Sequence, residues 1–161
     1  MEYNTTDLRR QERAMEEPAA RRLLAEGVVA VLAMQEPEGG SYAVPMNYAW
    51  DGESAIYMHS APEGHKLRCL AACPRVSLVI TGAVEVLPHM FSTAYESLVV
   101  QGVITEVQAA EEKQRALHLL LQKYTPHHLP AGYRYAERAA GQTTVLRLDI
   151  ATWCGKAHYK H

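Results

Sequence analysis

His59, Ser60, Gly64, His65 and Lys66 fall together in the segment IYMHSAPEGHKL. An imidazole that can exchange a proton near neutral pH is thereby set one short loop away from an ammonium group. Pro62-Glu63-Gly64-His65-Lys66 opens a predicted helix in which Leu67, Leu70 and Ala71 keep helical spacing. The first amides of a helix have no carbonyl partner inside it, so beside a lysine they make a site suited to phosphate. Gly64 would let the backbone approach such a ligand closely. Upstream, alternation places Val44, Met46, Tyr48 and Trp50 on one strand face and Ala43, Pro45 and Asn47 on the other. The first face suits a core and the second a flat ligand, so Tyr42 to Leu70 reads as a ligand cradle.

These groups need strands and helices to hold them. Pro18 to Glu26 is predicted as a helix ended by Gly27, followed by a strand at Val28 to Met34 and a turn at Glu36 to Gly40. Asp51-Gly52 is a hairpin signal before the strand that carries His59. Arg75 to Thr81 is a β-branched strand that Val84 to Leu87 extends after a break at Gly82. Tyr95 to Val107 has apolar residues in both alternating sets, Leu98, Val100, Gly102 and Ile104 against Val99, Val103 and Val107, which predicts cover on both faces. Ala110 to Tyr124 is an amphipathic helix with a stripe of Leu117, Leu120, Leu121 and Tyr124, and Thr143 to Ile150 is a last strand. Six or so strands interrupted irregularly by helices point to a mainly β fold, an antiparallel barrel with peripheral helices. A small barrel has one interior, so the two-sided Tyr95 strand implies a partner subunit and hence a homodimer.

The 161 residues fit a single domain, with residues 1–16 as a mobile arm or short helix. Sixteen basic residues against 18 acidic ones leave no overall basic surface for nucleic acid. No apolar run is long enough to span a membrane and the polar opening lacks a signal-peptide core, so a cytoplasmic location is expected. Cys69, Cys73 and Cys154 lack zinc or redox spacing and are read as reduced thiols, and Asn4-Thr5-Thr6 as an incidental sequon. His118, His127, His128, His158 and His161 have no ligand spacing with a carboxylate or cysteine, so no metal is expected.

The segments VPMNYAW, IYMHSAPEGHKL, YESLVVQGVITEV and LRLDIATWCGKA, in that order and spacing, resemble the pyridoxamine 5′-phosphate oxidase-like flavoproteins, nearest to their nitroimidazole-resistance branch. The resemblance implies a six-stranded antiparallel split barrel, a homodimer, and flavin mononucleotide (FMN) at the subunit interface, with FAD a further possibility. By position it implies that Pro45, Asn47 and Tyr48 line the flavin ring, with His59, Ser60 and Ala61 on the neighbouring strand end. Gly64, His65 and Lys66 would hold the phosphate. Tyr95, Glu96 and Ser97 would come from the second subunit, and Trp153 and Lys156 would close the site. His59 is the implied catalytic residue, as proton donor to a reduced product. The implied activity is reduction of small organic acceptors such as 5-nitroimidazoles. A flavin sensor or carrier without turnover, and oxidation of pyridoxamine phosphate, are the alternatives, and no second arginine-rich segment favours the last. Plainer readings also stand: a structural strand histidine at His59, a solvated helix lysine at Lys66, a barrel hydrogen bond at Asn47 and a barrel cap at Trp153.

Overall fold

The computed structural model describes residues 1–159, so His161 lies outside the described residues. The chain runs β1 (Glu2–Tyr3), α1 (Glu17–Glu26), β2 (Ala30–Gln35), β3 (Ser41–Met46), β4 (Ala49–Trp50), β5 (Ala55–Ser60), α2 (His65–Ala72), β6 (Arg75–Leu87), β7 (Ser92–Glu106), α3 (Ala110–Tyr124), α4 (Leu129–Ala139) and β8 (Thr144–His158). The six longer strands match the expected number, and two-residue β1 and β4 bring it to eight. The hydrogen-bonded order is β3-β2-β6-β7-β8-β5-β4, antiparallel throughout, while β1 pairs parallel with β8. The fold is a split barrel. Its two edge strands, β3 and β4, are separated in the chain only by Asn47 and Tyr48, which therefore carry the backbone across the seam. Pro45 sits in edge strand β3, where a missing N–H is tolerated.

Alternation decides what faces inward. Leu32, Leu78, Ile80, Leu98, Val100 and Leu148 are buried and form the barrel core with Met58 and Trp153. As expected, Met46 and Tyr48 are buried while Ala43, Pro45 and Asn47 are exposed. The two alternating sets of β7 differ in cover. Leu98, Val100 and Ile104 are buried, but Val99 and Val103 are 38% and 41% exposed, so this chain alone leaves one face bare. That bare face is ordered: strand register aligns Pro45, Val31, Val79, Val99 and Cys154 in one row across five strands.

Two irregularities adjust the sheet. Gly82 and Ala83 together oppose Glu96, a bulge that restores parity so that Val84 pairs with Tyr95 on the same bare face. At the other, Ala151 of β8 is the extra residue, and a Cβ at Gly102 would run into the Asp149 carbonyl.

Three segments differ from the sequence-based expectation. Of the arm or short helix expected over residues 1–16, a single 3₁₀ turn forms at Gln11–Arg13 and the segment is docked: Asn4 N–H donates to the Trp153 carbonyl (2.9 Å), the Tyr3 hydroxyl donates to the Met15 carbonyl (2.6 Å), and the Tyr3 ring packs on Trp153. The last strand continues to His158 instead of ending at Ile150. The unforeseen helix α4 packs on α3, its Tyr133 ring 4.1 Å from that of His118. Helix α3 is pinned to the barrel by Glu112, which accepts from the Tyr57 hydroxyl (2.7 Å) and from Arg147 (2.8 Å). These two hydrogen bonds lower its pKa.

Lys123, near the end of α3, has a buried Nζ with no hydrogen-bond partner, 3.6 Å from the centroid of the Tyr48 ring. Burial pushes its pKa from 10.5 down to about 8. The unfolded chain therefore binds more protons between these two values, so stability rises with pH across that window and carries the full cost below about 8. Lys123→Met keeps the stem and removes the unpaired charge. It is expected to stabilise the fold at pH 7 by about 1 kcal/mol and to flatten the rise above pH 8. Thermal melts as a function of pH check this, and an unchanged or lower Tm at pH 7 contradicts it.

No helix among the described residues is long and apolar enough to cross a membrane. Cys69, Cys73 and Cys154 are free thiols, and no cluster of three metal-ligating side chains occurs among the described residues.

Candidate ligand-binding site

The helix start is built as expected. Gly64, the residue before α2, has φ of 142°, a conformation strained for any residue with a side chain, and the space where its Cβ would stand is open. No side chain caps the helix, so its leading amides remain available. Among the described residues, the hydrogen-bond partner of the Lys66 ammonium is the Met46 sulfur, at 3.1 Å. A thioether is a weak acceptor, so the ammonium keeps its capacity for an incoming anion. Partial burial lowers its pKa, a cost that an anion would relieve.

His65 is placed differently. Its Nε2 lies 2.8 Å from a Glu36 carboxylate oxygen, its ring meets Tyr42 edge-on, and Arg68 stands 3.3 Å from Nδ1. It holds α2 to the β2–β3 turn instead of standing free beside Lys66.

His59 lies opposite Val145 of β8, at the exposed end of β5. Partial desolvation first, and then the nearby Lys66 charge, lower its pKa below 6.5, so the ring is mainly neutral at pH 7. Next to it, Ser60 Oγ donates to the Ala61 carbonyl and Ala61 is exposed. Asn47 stands at the barrel seam with its Nδ2 donating to the Val28 carbonyl at 3.3 Å. The Tyr124 hydroxyl secures the seam, accepting from Tyr48 N–H (3.0 Å) and lying 2.7 Å from the Val28 carbonyl. The Tyr48 side chain belongs to the core, its hydroxyl donating to the Leu24 carbonyl, so only its backbone reaches the seam.

Asn47 and His59 border a cavity of about 220 Å³ whose far wall is α3 and α4, with Leu117, Leu121, Tyr124 and Tyr135 among the lining residues. Sequence reasoning assigned Leu117 and Leu121 to a core stripe and had no α4, so this wall was missed. The only signal was the stripe itself, which reads equally as core or as cavity lining.

The remaining expected residues form a second group. Tyr95 and Ser97 share the bare sheet face with Lys156, which pairs with Ser97. Burial alone would raise the Tyr95 pKa, but hydrogen bonds from Arg13 and Lys156 outweigh it and lower the value. Glu96 points the other way and accepts from the Tyr159 hydroxyl at 3.0 Å. Trp153 is inside the barrel, 2% exposed, between Tyr3 and Arg21, which favours the barrel reading for its side chain. On β8, Val145 marks His59 and Lys156 marks Ser97, eleven residues along the strand, and no hydrogen bond or ion pair joins the two groups among the described residues.

A family model described as pyridoxamine 5′-phosphate oxidase matches residues 16–157, nearly the whole chain. The chain belongs to this family. Solved structures similar to this pyridoxamine 5′-phosphate oxidase family member include a proposed 5-nitroimidazole antibiotic resistance protein from Bacteroides thetaiotaomicron, with 21% identity, a TM-score of 0.74 and coverage of 90% of this chain and 86% of that one. A conserved hypothetical protein from Mycobacterium tuberculosis has 18% identity, a TM-score of 0.79 and coverage of 94% and 93%. An FAD-binding protein from Mesorhizobium loti has 20% identity, a TM-score of 0.64 and coverage of 91% and 98%. At these identities the likeness establishes the fold of the family member. No curated protein matches it.

Proposed function

We propose that this chain is an FMN-dependent oxidoreductase, acting as a homodimer on small organic acceptors, with 5-nitroimidazole-type nitro compounds the leading class. The observation that carries the reading is the uncapped start of α2, with Gly64 and an acceptor-poor Lys66, set beside His59 and Asn47 at the mouth of a cavity. This donor set fits a flavin phosphate: open space at Gly64, leading amides and one ammonium. FAD binding by a structural neighbour is consistent with a flavin here.

Bound flavin would supply the electron-transfer chemistry. Lys66 and the α2 amides would hold the phosphate, and Asn47 would offer its free amide groups to the ring edge. Neutral His59 would donate an N–H hydrogen bond to the acceptor, and its imidazolium form, a minority at pH 7 because its pKa is lowered, would deliver the proton and be reprotonated from solvent. Tyr95, Ser97 and Lys156 would reach the flavin from a second subunit, a reading supported by the bare valine row. In this reading the protein works in the cytoplasm.

Purified protein is expected to be yellow and to release FMN on denaturation, and a colourless protein that fails to bind added FMN would sink the cofactor reading. Protein reduced anaerobically with dithionite should be reoxidised by a 5-nitroimidazole, while a flavin that stays reduced indicates a carrier. His59→Ala is expected to lower that reoxidation rate by 10²-fold or so with a change of less than about threefold in FMN affinity. Equal rates in the variant would remove His59 from the chemistry.

A further inference from the structure

We infer that the cavity between α3, α4 and the Asn47–His59 edge is a binding subsite for an uncharged, single-ring aromatic molecule bearing one hydrogen-bonding group. Its role as the acceptor subsite rests on the proposed flavin reading; its occupancy does not. Size comes first. A cavity of about 220 Å³ lies above the ~150 Å³ that admits benzene and below the ~300 Å³ at which drug-sized pockets begin. One substituted ring fits, and a whole flavin does not.

Chemistry narrows the class further. The α3 and α4 walls are leucine, alanine and the two tyrosines Tyr124 and Tyr135, and no aspartate, glutamate, lysine or arginine lines the cavity. An anion would lose its hydration there without a counter-charge. Most of the polar lining atoms are already used: the Tyr124 hydroxyl serves the seam and Thr143 Oγ1 donates to the Ala139 carbonyl at 2.9 Å. The available groups are the His59 ring and the remainder of the Asn47 amide, both on one side, with the Tyr135 hydroxyl at the exposed rim. A ring with a polar substituent pointing to that side satisfies them. Tyr135, 71% exposed, stands at the rim and can flank the ring without reorganising the core. The same argument disfavours a phosphorylated pyridine in this cavity.

The test uses nitrobenzene and 4-nitrobenzoate, one ring with and without a charge, titrated by NMR into the full chain freed of flavin and again into the FMN-loaded chain. Nitrobenzene is expected to shift the resonances of Leu117, Leu121 and His59, and 4-nitrobenzoate to bind at least tenfold more weakly. Leu117→Trp, which fills the cavity, should weaken nitrobenzene at least tenfold and leave FMN affinity unchanged. Tyr135→Ala, a surface change safe for folding, should weaken it severalfold. Equal binding of the two probes, a folded Leu117→Trp chain that binds normally, or competition between FMN and nitrobenzene would overturn the subsite. A chain that binds nitrobenzene as described but never takes up FMN would support the subsite and refute the flavin reading.

Discussion

Lys66→Ala is expected to weaken FMN binding by 10- to 100-fold, corresponding to the loss of about 1.5–3 kcal/mol for a charge-assisted hydrogen bond. The lysine is held in place by the protein itself, with its ammonium beside the Met46 sulfur and its pKa lowered by burial. Phosphate binding would therefore cost little side-chain ordering. The same substitution has an electrostatic signature that a merely structural lysine would lack. The Lys66 charge is a secondary cause of the depressed His59 pKa, after desolvation, so removing it should return the His59 titration part of the way toward 6.5. Fluorescence titration of FMN and NMR titration of His59 measure the two effects. Unchanged FMN affinity would return Lys66 to the helix surface, and an unmoved His59 titration would break the coupling between them.

Val99→Glu is expected to convert the proposed homodimer into a folded monomer and to abolish the FMN retention proposed for it. Val99 lies inside the row of Pro45, Val31, Val79 and Cys154, and its partial exposure in the single chain means that a glutamate there costs the isolated fold little. In a two-fold interface each substitution appears twice, and two buried unpaired carboxylates would weaken association by on the order of a thousandfold or more. Loss of FMN follows because Tyr95, Ser97 and Lys156 would no longer face the partner's Lys66 region. Analytical ultracentrifugation with absorbance at the flavin wavelength reads both. A variant that stays dimeric, or a monomeric variant that keeps its flavin, would remove the interface from this face or from the site.

Local turn chemistry and alternation made most of the barrel legible. Asp51-Gly52 could be read as a hairpin because the signal is self-contained: the Asp51 carboxylate accepts from Glu53 and Ala55 N–H groups. Alternation also placed Tyr48 on the core face, where the structure buries its side chain. What stayed hidden depends on partners distant in sequence. Glu2–Tyr3 is too short to carry a period and becomes a strand by pairing with β8. Helix α4 carries Pro130 and Gly132, and the packing of Gly132 against Leu121 and of Tyr133 against His118 overrides that weak propensity. Gly82 was legible as a break, but only the register shows that the bulge keeps Val84 on the valine face.

The chain has two tryptophans, and the guanidinium of Arg21 lies 5.8 Å from the Trp50 ring centroid and 5.5 Å from that of Trp153. Both indole emitters thus report on one point of the fold, where α1 meets the barrel wall. Their ultraviolet emission is a built-in gauge of whether that helix stays seated. It can be followed without any label.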